Sequence, residues 1–198
     1  MVTIAIAFHN AGIFRSSCFF SMTLPCQLLI LATVVVAALG ASCSKQEPVR
    51  FNSVSTFAGA NGEFGEPFGI AVKGSEIFVS DGANGKILKI GADSVVLEFT
   101  NGFDTPSAIA FSKNGDLIVA DSGSSTIKSV TASGEVRTIA GVENNPGIAD
   151  GNAQNAQFNG PIGIAVASDG RIFISDTYND RIRVIEDGRV STFAGSAR

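Results

Sequence analysis

The 198-residue sequence predicts an all-β chain built from three repeated four-stranded antiparallel sheets. Three observations predict it. One pattern of segments recurs three times in register. Its apolar runs are short, rich in Ile and Val, and closed by turn residues. Gly is abundant, at 22 residues, while charged residues make up 16% of the chain. That mixture suits strands joined by tight turns better than a helical bundle.

The repeats come first because periodicity decides the architecture. The first unit runs Pro67–Val72, then Ile77–Asp81, then Ile87–Ile90. The second runs Pro106–Phe111, Leu117–Asp121 and Ile127–Val130, and the third Pro161–Val166, Ile172–Asp176 and Ile182–Ile185. Each Asp is followed six residues later by Ile. The Asp-to-Asp spacings are 40 and 55 residues, and the longer one contains an insertion from Val142 to Gln157. A fourth element recurs between the units, as Ser55–Gly59, Arg137–Gly141 and Ser191–Gly195.

Each unit reads as strands a, b, c and d. Strand a follows the Pro and shows little alternation, as expected of a strand buried on both faces. Strand b is apolar and β-branched. Strand c alternates, with Ile182 and Val184 alternating with Arg181 and Arg183. Gly115 and Gly170 are placed for a–b hairpin turns, and Gly134 and Gly188 for c–d turns. The units span about 67–100, 106–141 and 161–195. One such sheet cannot bury both faces alone, so neighbours must stack around an axis as the blades of a β-propeller.

The run Pro-x-Gly-Ile-Ala-Val, Ile-Phe-Ile-Ser-Asp and Arg-Ile-Arg-Val-Ile of the third unit resembles the NHL repeat, a propeller blade. The Asp150-Gly151 and Ala156-x-Phe158-x-x-Pro161 run is similar to a bacterial form of it. The resemblance covers residues 53–198 and implies a ring of about six blades. Three four-stranded blades plus one extra N-terminal strand, Ser55–Gly59, then form part of such a ring. Either further repeats complete it, or two chains assemble into one ring. The surplus strand favours the first, because each chain of a pair would bring one strand too many.

Residues 1–43 differ from the rest. They hold one charged side chain, Arg15, and all three cysteines, Cys18, Cys26 and Cys43. The apolar run 28–41 has the length of a signal-peptide core and is short for a membrane span. Gly40-Ala41-Ser42-Cys43 resembles a bacterial lipoprotein signal, which implies lipidation of Cys43; Gly40 stands where such signals usually have Leu. Ordinary cleavage and an uncleaved anchor are the other readings, and Met22 is an alternative start. Residues 44–52 read as a polar tether. The expected location is therefore outside the cytoplasm, on a bacterial envelope or in the periplasm, with the membrane reached through the lipid or signal segment.

From residue 44 onward the chain has 13 Lys/Arg, 18 Asp/Glu, and no His, Cys or Trp. An acidic surface disfavours nucleic acid, which needs clustered Lys and Arg. Without His or Cys, no Ser-His-Asp or Cys-His nucleophile and no histidine-ligated zinc can be assembled. Asp81, Asp121 and Asp176 end strand b in all three units. Identity in every blade points to structural turn caps, accepting N–H bonds two or three residues on, rather than to a metal ring. The Asp150-Gly151-Asn152 turn lacks the remaining carboxylates of a calcium loop; it reads as a turn followed by a short helix, Ala153–Phe158. No metal ligand set and no cofactor are expected, with calcium as the one alternative. Candidate binding residues lie in and beside the b–c loops: Asn84, Lys86, Tyr178, Asn179 and Arg181. Tyr178, the one tyrosine, with a flanking Arg, suits a contact surface.

The function expected is a non-enzymatic scaffold presenting loops to a protein, peptide or glycan. The alternatives are a calcium-dependent propeller hydrolase or lyase on a small metabolite, and a truncated copy without function.

Overall fold

The computed structural model describes residues 53–195. The expected signal segment 1–43 with Cys43, and the tether 44–52, lie outside the described residues.

Each of the three repeats forms an antiparallel sheet of four strands or more. The first sheet is β1 (Pro67–Lys73), β2 (Glu76–Asp81), β3 (Lys86–Ile90) and β4 (Val96–Asn101), antiparallel in that order. The second is β5 (Pro106–Phe111), β6 (Leu117–Asp121), β7 (Thr126–Val130) and β8 (Val136–Ala140). The third joins β10 (Pro161–Val166), β11 (Ile172–Asp176), β12 (Arg181–Glu186) and β13 (Arg189–Ala194), and adds a two-residue fifth strand, β9 (Gly151–Asn152), on the outer edge of β13. Gly115 and Gly170 close the a–b hairpins at φ +90° and +99°, a region closed to most L-residues. Among the described residues there is no α-helix, only a 3-10 turn at Thr177–Asn179.

The sheets meet face to face through two apolar layers. Phe78 and Ile87 of the first sheet pack on Ile109, Leu117, Val119 and Val130 of the second. Ile118 and Ile127 of the second pack on Ile172, Ile174, Ile185 and Val190 of the third. Each sheet thus has a leading face toward its predecessor and a trailing face toward its successor. Polar stitches run beside the layers. Ser80 Oγ donates to the Ser107 carbonyl at 2.5 Å, and Ser122 Oγ to the Pro161 carbonyl at 2.6 Å.

Three expectations need correction. Ser55–Gly59 forms no strand. A strand needs a partner edge, and β3, β7 and β12 each already carry a d strand. Ala153–Phe158 is not a helix: the Asn155 and Ala156 amides both bond the Asn152 carbonyl in a single turn, and the chain then runs on without helical bonds. Its apolar residues are drawn sideways instead, with Ala153, Ala156 and Phe158 filling the layer between the second and third sheets. Strand a is not buried on both faces in the first sheet, where Ile70 is 67% exposed against 6% for its counterpart Ile109. No sheet among the described residues covers that leading face.

Candidate functional site

The three repeated aspartates are fully buried. Asp81 Oδ2 accepts from the Gly65 amide at 2.9 Å, and Oδ1 from the Glu66 amide at 2.9 Å. Asp121 Oδ1 accepts from Asp104 and Thr105 at 3.0 and 2.9 Å, and Asp176 Oδ1 from Asn159 at 2.7 Å. These donors lie 15 to 17 residues upstream, where the chain enters strand a. The b–c loop is held chiefly by the side chain three residues on: Asn84, Ser124 and Asn179 each donate to the aspartate at 2.8 Å. One carboxylate therefore pins two loops at once, a longer reach than capping within the b–c loop alone.

Seven residues after each aspartate stand Leu88, Lys128 and Arg183. Lys128 Nζ lies 2.8 Å from Asp121 Oδ2 and 3.4 Å from Glu143 Oε1. Arg183 is wholly buried. All five of its N–H groups are used: Nε and one Nη2 proton go to Asp150 Oδ1 at 3.1 and 2.6 Å, Nη1 to Asp176 Oδ2 and the Gln157 carbonyl at 2.7 and 2.9 Å, and Nη2 to the Ala149 carbonyl at 3.0 Å. Its guanidinium also sits 5.2 Å from the Phe158 ring centre. The alternation read on β12 therefore does not hold as an in–out pattern: Arg183 and Val184 are both buried, while Ile182 is 38% exposed. The signal that could have revealed it is the acidic insertion, which brings Glu143 to one blade's cation and Asp150 to the next.

Burial raises the Asp81 carboxyl, but the Gly65 amide, the Asn84 side chain and the Glu66 amide outweigh it and hold the group below its ordinary 3.8. Asp150 behaves alike: burial raises it, while Arg183 and the Thr192 amide bring it below 3.8. Folded values below unfolded ones stabilise the fold above about pH 4, and that contribution is lost as pH falls through the lowered folded values. The urea midpoint should therefore fall steeply below about pH 4, and Asp81→Asn should flatten that slope. An unchanged slope in the variant would contradict the assignment.

Of the candidate binding residues, Asn84 and Asn179 turn inward to the aspartates, and Asn179 also reaches the Gly147 carbonyl at 2.8 Å. Lys86 pairs with Glu98 at 3.0 Å on the outer part of its sheet. Tyr178 lies in the third sheet's b–c loop, and Arg181 opens β12 just after it. The Tyr178 amide bonds the Asn159 carbonyl at 3.0 Å, and the Thr177 amide the Gly160 carbonyl at 3.2 Å. The Tyr178 ring rests on Gly160, whose φ of +58° and lack of a side chain make that approach feasible. Tyr178 is 72% exposed, so its other face meets solvent. Arg181 is half-buried, with Nε unpaired and Nη1 3.5 Å from Thr192 Oγ1. Among the described residues, no group of three or more His, Cys, Asp or Glu is placed to hold a metal ion.

Residues 91–186 match the teneurin NHL domain. Human teneurin-4 is 31% identical in an alignment of length 100 that covers 43% of this chain and 4% of teneurin-4. Bovine NHL repeat-containing protein 2 is 32% identical in an alignment of length 96 that covers 43% of this chain and 13% of that protein. The chain thus spans a small part of these relatives. Among solved structures, a Bacteroides thetaiotaomicron protein of unknown function aligns at TM-score 0.59 and 21% identity, over 66% of this chain and 36% of that one. An auxiliary nutrient binding protein from Bacteroides ovatus aligns at 0.54 and 19%, over 65% and 36%. Virginiamycin B lyase from Staphylococcus aureus aligns at 0.52 and 19%, over 66% and 41%, and its histidine-to-alanine variant is catalytically inactive. Repeats, sheet order and comparisons converge on one description: an all-β chain with a β-propeller fold, in which residues 91–186 are similar to the teneurin NHL domain.

Proposed function

We propose that this chain is a non-enzymatic binding scaffold of a bacterial envelope, its sheets three blades of a six-bladed ring. It presents the b–c loop surface around Tyr178 to a protein, peptide or glycan, with Cys43 as the lipid anchor. The observation that carries the reading is the Tyr178 platform: an aromatic ring held on Gly160 and open to solvent on its other face, three residues before Arg181 in the chain. Rigid aromatics with arginine are what concentrated binding surfaces use, because they bury area at little entropic cost.

The lyase among the structural neighbours loses its activity with one histidine, and this chain has none after His9. A calcium-dependent hydrolase or lyase would need carboxylates free for a cation. Asp81, Asp121, Asp150 and Asp176 are instead committed to amides, side-chain donors and buried cations.

Screening the purified full chain against envelope-derived glycans and peptides should find a ligand for this face. Tyr178→Ala should then weaken that binding by about 10- to 100-fold, with the thermal midpoint unchanged. Equal binding by the variant, or no ligand in either class, would overturn the reading.

A further inference from the structure

The two outermost faces of the array are built like the faces that meet inside it. On the trailing side of the third sheet, Ile182 occupies the place of Ile87 and Ile127. Those two are 0% exposed under the next sheet, whereas Ile182 is 38% exposed. Phe193 stands where Phe99 and Ile139 pack into the layers, and it is 60% exposed. Phe173 packs edge-on against Phe193 on this apolar face, with ring centroids 5.1 Å apart. On the leading side of the first sheet, Ile70 and Val72 take the places of Ile109 and Phe111 and are 67% and 62% exposed. Ile70 also borders a groove of about 490 Å³ that Ile77, Val79, Ile90, Phe57 and Phe64 line.

A polar observation points the same way. Ser80 Oγ accepts from the Gly69 amide at 2.7 Å and gives its own proton to the carbonyl of Ser107 on the following sheet. Ser175 is its counterpart and accepts from the Gly163 amide at 2.6 Å in the same manner. Its hydroxyl proton has no acceptor in the hydrogen bonds of the described residues. The position equivalent to Ser107 in the first sheet is Phe68, the second residue of its strand a.

We infer that the trailing face of the third sheet docks on the leading face of the first sheet of a second copy of this chain. This rests on the blade reading above. The apolar contacts repeat the two junctions already present inside the chain, with Ile182 and Phe193 entering against Ile70 and Val72, and the serine link repeats the first of them, with Ser175 donating to the Phe68 carbonyl. If three blades turn through half of a six-bladed ring, two copies related by a two-fold axis make this junction twice and close the ring. The objection of a surplus d strand falls away, because Ser55–Gly59 is unpaired and β12, the c strand beside the junction, already holds β13. Exposed apolar faces of this extent otherwise invite open-ended association.

Light scattering on the purified full chain should give twice the mass of one chain across the micromolar range. Ile70→Asp and Ile182→Asp each place a charge at the junction while altering a residue that is exposed within one copy, so both variants should keep the far-UV β signal. Each alone should weaken the dimer by about 100-fold. Mixed together, they should associate again through the one junction that carries neither charge, which neither non-specific clustering nor association through residues 1–43 would produce. A monomeric wild-type chain, open polymers, a dimer indifferent to both substitutions, or a mixture that stays monomeric would each overturn the proposal. Loss of ligand binding by Tyr178→Ala in an intact dimer, or its retention, bears on the proposed function alone.

Discussion

Arg183→Ala should destabilise the chain by about 3–5 kcal/mol, the cost of removing one partner from a buried ion pair. The guanidinium is fully buried and spends all five N–H groups on two carboxylates and two carbonyls. In the variant, Asp176 keeps the Asn159 amide and the Asn179 side chain. The first sheet shows what those donors suffice for: Asp81 holds its place beside Leu88, with two amides and Asn84 and no cation. Most of the loss therefore falls on the insertion. Ala149, Asp150 and Gln157 lose their common anchor, and two carbonyls are left without that donor. Arg183→Lys should recover only part, since a single ammonium cannot serve both Asp150 and Asp176 with the fork geometry of a guanidinium. Urea unfolding measures the loss, and a double-mutant cycle with Asp150→Ala should show a coupling of about 1–3 kcal/mol. A change under about 1 kcal/mol in Arg183→Ala would mean that the buried network adds little.

Phe158→Ala should cost about 3–5 kcal/mol as well, for an apolar reason. The ring is 0% exposed and fills the layer between the second and third sheets beside Ala153, Ala156 and Ile174. Truncation leaves a cavity that sheets held by their own ladders cannot collapse around. It also removes the π face under Arg183. Losses in Phe158→Ala and Arg183→Ala should therefore not add, because each removes part of the other's environment. Phe158→Leu should cost less than half as much. Hydrogen exchange gives the sharper readout: amides of β9 and of the Gly147–Gln157 turns should open well before those of β6 and β7, because the insertion hangs on these two side chains. Uniform loss of protection would argue against a locally anchored insertion.

Much of the fold was legible because it is local. Four strands per unit, their order, the glycine hairpins and the recurring aspartate follow from apolar runs, turn chemistry and a repeat seen three times. That Asp81, Asp121 and Asp176 recur in every unit was legible, but the strand-a amides they hold, 15 to 17 residues upstream, were not. The candidate site was legible in part. Tyr178 could be picked out as a solitary aromatic in a loop, but its seat on Gly160 depends on a residue 18 positions upstream. Asn84 and Asn179, read as contact residues, also donate to the aspartates, which the sequence did not show.

What the sequence by itself determined is the blade: the period-two alternation and the turns belong to one sheet, and each repeat carries them whole. What only the tertiary structure decided is which face of each blade is inside. A propeller sheet packs on both sides, so alternation along a strand cannot say whether Arg183 or Ile182 points to water. That depends on whether a sheet follows and on where an insertion delivers its carboxylate. For the same reason Ile70 and Ile109, at one position of one motif, end at 67% and 6% exposure, and Ser55–Gly59, a strand by its residues, has no ladder to join.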